Sequence, residues 1–149
     1  MPTVVRTRTV EAAPQRLWEV VRDPERLPEW WPNVDRVEGA SPVAWTTVLS
    51  AAGGRSVRAD YSLLESEPAS RHSWRQELER SPFERILSES VTELALEPAP
   101  EGTLVRITAR LRLRGLSRLG GFQVSRATGR RLDQALEGLQ ALAVSQSGS

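Results

Sequence analysis

The 149-residue sequence contains no cysteine, no lysine and a single histidine. Without cysteine there are no disulfides, no thiolate zinc sites and no thiol nucleophile. One histidine leaves too few ligands for a metal centre, and no cofactor is expected. The absence of lysine excludes a Schiff-base mechanism and reflects compositional bias, since every basic residue is arginine. No apolar run approaches the length of a membrane span, so no integral membrane segment is expected. Arg6 and Arg8 stand where a signal peptide would need its apolar stretch, so the reading is cytoplasmic. There is no internal repeat, no linker, no Gly-Xaa-Ser-Xaa-Gly, no P-loop and no paired-carboxylate spacing. The apolar fraction of 39% and charged fraction of 26% fit one ordinary globular domain spanning residues 1–149.

What is present is a change of period along the chain. Thr3 to Val10 has strand composition, and Pro14 opens a short helix whose buried stripe is Leu17, Trp18, Val20 and Val21. Asp23-Pro24 caps a second short helix that runs toward Trp30 and stops at Pro32. After Gly39 come strands at Val43 to Ala51, Arg55 to Glu65, Arg71 to Glu79, Arg85 to Glu97 and Thr103 to Arg114. The first two form a hairpin at Gly53-Gly54, and an odd loop with a left-handed glycine sets Trp45 opposite Tyr61 and Thr47 opposite Ala59. In the last strand, Val105, Ile107, Ala109, Leu111 and Leu113 alternate with polar residues, giving one buried and one wet face. From about Ser117 the period turns helical, with Leu119, Phe122, Leu132, Ala135, Leu136, Leu139 and Leu142 on one side. Gly120, Gly121 and Gly129 weaken the first half of that helix, and residues 145–149 read as frayed.

Strand, two short helices, antiparallel strands and a long helix make an α+β plan in which the last helix covers the sheet. Val10-Glu-Ala-Ala-Pro-Gln-Arg-Leu-Trp18, Asp23-Pro-Glu-Arg-Leu-Pro-Glu-Trp-Trp-Pro32, Arg71-His-Ser-Trp74 and Leu96-Glu-Pro98 with Gly102-Thr103 occur in this order. With the final helix, these pieces resemble the START-like (SRPBCC) superfamily, in particular its polyketide cyclase/dehydrase and lipid transport branch. The resemblance implies a helix-grip fold: a curved antiparallel sheet of about seven strands around a long C-terminal helix, with two short helices after the first strand. It also implies a cavity between sheet and helix, without naming the ligand.

That architecture would bring Trp30, Trp31, Trp45 and Trp74 toward the cavity or its mouth, while Trp18 fills core. Aromatic walls suit a flat apolar ligand. Alternation places His72 and Gln76 on the same face as Trp74 and Leu78, and Tyr61 on the inward face of the neighbouring strand. Ile107 and Leu111 from the last strand, with Phe122 and Leu132 from the helix, complete the candidate lining. His72 and Tyr61 are the candidate acid or base groups, although no partner acid is visible.

Residues 1–101 carry 12 Arg against 17 acids, a net charge of −5, whereas residues 102–149 carry 8 Arg against 2 acids, a net charge of +6. Pairing of the two ends within one fold accounts for such a split. A docking face for an anionic head group, a membrane lipid or an acidic carrier protein is the functional alternative. The block lacks interleaved aromatics, so no nucleic-acid partner is expected. The first reading is therefore binding or transport of a small hydrophobic or aromatic molecule, such as a lipid, quinone or polyketide, by a monomer or weak homodimer. A polyketide aromatase/cyclase-like enzyme is the second, and a regulatory or stress-response protein with a basic docking helix the third.

Overall fold

The computed structural model describes residues 2–115 and 120–147. Strand β1 (Thr3–Val10) leads to helix α1 (Pro14–Val21), a 3-10 turn (Pro24–Arg26) and the one-turn helix α2 (Leu27–Trp30). Strands β2 (Val34–Glu38), β3 (Ala44–Ser50), β4 (Ser56–Glu67), β5 (Arg71–Glu77), β6 (Leu87–Ala99) and β7 (Gly102–Leu113) follow, then helix α3 (Gly121–Ser147). All seven strands form one antiparallel sheet in the order β1-β7-β6-β5-β4-β3-β2, with α3 against β1 and β7. This is the expected helix-grip plan.

Local chemistry explains the elements before the sheet. Pro14 occupies the first position of α1, and the Asp23 carboxylate accepts the Glu25 N–H at 3.0 Å, fixing the turn that leads into α2. The Thr103 hydroxyl donates to the Ala12 carbonyl at 2.6 Å, which ties the start of β7 to the β1–α1 junction.

The β3–β4 hairpin has the odd loop. Ala51 N–H donates to the Arg55 carbonyl at 2.8 Å, enclosing Ala52, Gly53 and Gly54, and Gly53 and Gly54 have φ of 76° and 74°. The resulting register sets Trp45 opposite Tyr61, Thr47 opposite Ala59 and Leu49 opposite Val57. Six strands are legible from alternation; β2 is not, because a bulge between Val34 and Arg36 breaks its period of two. Pro98 does not end β6, whose pairing continues to Ala99 opposite Gly102.

Leu132, Ala135, Leu136, Leu139 and Ala143 bury one side of α3 in a core with Leu94, Val105 and Ile107 from the sheet and Leu17 and Trp18 from α1. Phe122 does not continue that stripe: it is 74% exposed, with the Arg126 guanidinium 5.0 Å over its ring. At about 100° per residue it lies some 80° around the helix from Leu132, on the flank toward the free edge of β1, where no further strand can cover it. Leu119 and Arg118 lie outside the described residues. Of the segment expected to fray, residues 145–147 are helical, and Gly148 and Ser149 lie outside the described residues.

Part of the charge split is resolved across neighbouring strands. Arg110 pairs with Glu93 at 3.5 Å, and Arg112 with Glu89 at 3.9 Å, so arginines of β7 meet acids of β6 on the wet face. Because α3 begins at Gly121, Arg126, Arg130 and Arg131 lie beyond its first turn, where the helix macrodipole no longer disfavours a cation.

Candidate functional site

The register that pairs Trp45 with Tyr61 continues across the sheet to Gln76, while Leu63 pairs with Trp74 and Trp74 with Thr92. Strand alternation therefore aims Trp45, Tyr61, Trp74, Gln76 and Thr92 at one face. Trp45 and Tyr61 stack with centroids 6.0 Å apart and planes 15° from parallel. Trp74 meets Trp45 at 6.4 Å and, on its other side, Trp31 at 5.8 Å, in edge-on geometry. Trp31 follows α2 directly, so the helix end lays an indole over the sheet's aromatic row.

Beneath Trp31 the face is hollow in two adjoining compartments. The first, about 80 Å³, is walled by Trp31, Trp45, Tyr61 and Trp74, with Thr47 and Gln76 as polar groups. The second, about 230 Å³, lies toward α3 and is walled by Leu111 and Ala109 of β7 and by Val124, Thr128 and Leu132 of the helix. Trp31, Ser90, Thr92 and Arg131 border both. The first is smaller than the roughly 150 Å³ void that admits a benzene ring, and the second is larger. A ring-sized molecule thus has room under α3, with its edge toward the indoles.

Polar groups are interspersed in the wall: Thr47, Gln76, Ser90, Thr92 and Arg131 line the first compartment beside its aromatic rings. Gln76 is 8% exposed and its Nε2 has no hydrogen-bond partner. Burial raises the Tyr61 pKa above the ordinary tyrosine value despite the opposing influence of the Thr47 side chain and of the Arg131 charge. The phenol is therefore a proton donor at neutral pH and not a base. No carboxylate or imidazole lines either compartment among the described residues.

The sequence-derived candidates divide accordingly. Trp31, Trp45, Tyr61, Trp74 and Gln76 meet in the first compartment, and Leu111 and Leu132 in the second. Trp30 is 3% exposed and turned into the core, edge-on to Trp31 at 5.4 Å. Ile107 is fully buried beneath, and Phe122 stands outside on the β1 flank. His72 shares the inward face of β5 but lies past the compartments, against Trp18 at 5.7 Å and Trp74 at 5.5 Å. Its Nδ1 is buried without a partner, and burial lowers its pKa to about 4. It borders a separate open groove of about 570 Å³ with Arg22, Asp23, Pro24 and Val43.

Several wall residues, among them Thr47, Ser90, Thr92 and Arg131, are missing from the candidates read in the sequence. Thr47 was readable, being in the same alternating row as Trp45. Ser90 and Thr92 look like wet-face residues, and Arg131 looks like one more charge of the basic block; only the position of α3 turns it to the hollow.

An aromatic-walled gap between an antiparallel sheet and a long C-terminal helix defines a START-like helix-grip protein. The chain belongs to the family described as polyketide cyclase/dehydrase and lipid transport, which it matches over residues 1–144. A START superfamily protein from Mycobacterium smegmatis superposes with a TM-score of 0.79 at 14% identity, covering 97% of this chain and 98% of that one. The di-domain ARO/CYC StfQ from the steffimycin biosynthetic pathway gives 0.79 at 14% identity, over 99% of this chain and 52% of its own. A protein from Mesorhizobium loti gives 0.68 at 25% identity, over 95% and 96%. No curated protein matches the sequence. No helix among the described residues is long and apolar enough to cross a membrane.

Proposed function

We propose that this protein binds or carries a small hydrophobic, ring-containing molecule in the gap beneath Trp31. The observation that carries this reading is the wall itself: three indoles and a phenol on one side, Leu111 and Leu132 on the other, with uncharged hydroxyl and amide groups and the single charge of Arg131 between them. Such a surface gains by excluding water from a flat apolar body, and its hydrogen-bonding groups set orientation.

Binding is favoured over acid–base turnover because the two candidate groups do not act on one place. Tyr61 borders the gap but keeps its proton, and His72 borders a different groove. A cyclase would need a base in reach of the substrate carbon that loses a proton. Native mass spectrometry of the protein as purified, with extraction and identification of any retained compound, tests the reading. An apolar ring compound at near-unit stoichiometry, lost in Trp74→Ala, supports it. An empty wild-type protein whose tryptophan emission does not respond to naphthalene-sized compounds overturns it.

A further inference from the structure

The wall of the gap mixes indoles with polar groups, and its one charge is positive. Arg131 borders both compartments and has no salt-bridge partner among the described residues. Its neighbour on the wall, Tyr61, stays protonated and so offers no counter-charge. No acid stands between Gly102 and Leu132 in the sequence, and the next one, Asp133, is engaged by Arg6 at 3.4 Å. Gln76, more than nine-tenths buried, lines the aromatic compartment, and its side-chain N–H₂ group bonds to nothing. A buried donor left without an acceptor costs stability, and a ligand oxygen reaching it from the gap would remove that cost. A cation at the rim and an unsatisfied donor inside both recruit oxygen, and the cation recruits oxygen that carries negative charge.

Resting on the cavity reading above, we propose that the ligand is a monoanionic aromatic acid, its ring held beneath Trp31 and its carboxylate or acidic enolate oxygens shared between the Arg131 guanidinium and Gln76 Nε2. Arg131 keeps solvent on its outer side and so avoids the cost of a fully buried charge, while the ligand's charge is neutralised as it enters. The same placement gives entry an orientation: ring first under the indole, the carboxylate following to lie between the rim cation and the buried amide.

Calorimetric titration with 2-naphthoate and with its uncharged counterpart 2-naphthamide tests this, using wild type, Arg131→Gln and, as a control, the exposed neighbour variant Arg130→Gln. Charge-assisted pairing makes the wild type prefer the acid by about tenfold or more. Arg131→Gln abolishes that preference while retaining amide binding, which also verifies its fold, and Arg130→Gln keeps the preference. High salt weakens acid binding and leaves amide binding unchanged. Equal affinity for acid and amide, or a preference that survives Arg131→Gln, overturns the proposal and leaves the cavity reading standing. Failure of both probes to bind the wild type overturns the two together.

Discussion

Trp45 lies directly across the β3–β4 ladder from Tyr61, and their rings stack because the turn between the strands has an odd number of residues. Parity set at Gly53 and Gly54 is thus read out at the aromatic wall some eight residues away along each strand. No atom outside the chain neighbours lies within 4 Å of a Cβ built on either glycine, so a side chain there meets only the cost of its positive φ. Gly53→Val is expected to destabilise by about 1–2 kcal/mol, and Gly53→Asn by less, since asparagine tolerates the left-handed region. Urea unfolding ranks the variants; equal stability of the valine and wild-type proteins would contradict the turn geometry.

Two glycines of α3 make opposite predictions. A Cβ on Gly138 would run into the Trp30 carbonyl, a rigid backbone group at the end of α2. The three atoms nearest a Cβ on Gly129 all belong to the Arg6 guanidinium, the free end of a flexible and partly exposed side chain. Gly138→Ala should therefore lower stability by about 1–3 kcal/mol through overpacking and disturb Trp31, whose helix must shift. Gly129→Ala should be neutral or gain up to about 1 kcal/mol from helix propensity. Thermal melts with tryptophan emission as a second readout decide the matter, and the same sign for both would refute the packing argument.

His72 makes folding sensitive to acid. In the unfolded chain an ordinary histidine takes a proton as pH falls through about 6.5, whereas in the fold His72 resists it to about 4. Its contribution is therefore complete above about 6.5 and is lost as pH drops toward 4, a total on the order of 3 kcal/mol. His72→Met should flatten this part of the stability–pH curve. Glu19, Glu29 and Glu38, held below the ordinary carboxylate range by hydrogen bonds from Arg22, Arg26 and Arg36 respectively, add losses at lower pH in both proteins. Chemical denaturation at several pH values isolates the difference; parallel curves would mean that His72 is solvated.

The order of elements apart from β2, the inward rows of β3, β5 and β7, the hairpin register and the Leu132–Leu139 stripe of α3 were decided by the sequence alone. Each depends on a short-range period or a turn, and those are local properties of the chain. Only the tertiary structure decided what covers each stretch of an inward face. His72, Trp74 and Gln76 alternate identically along β5, yet α1 closes over the first through Trp18 while the hollow opens over the other two. Likewise Phe122 and Arg131 exchange their expected places because the path of α3 turns one flank to the sheet edge and the other to the gap. Alternation fixes the face a side chain takes; depth along that face depends on where distant helices come to rest, and no local period encodes it.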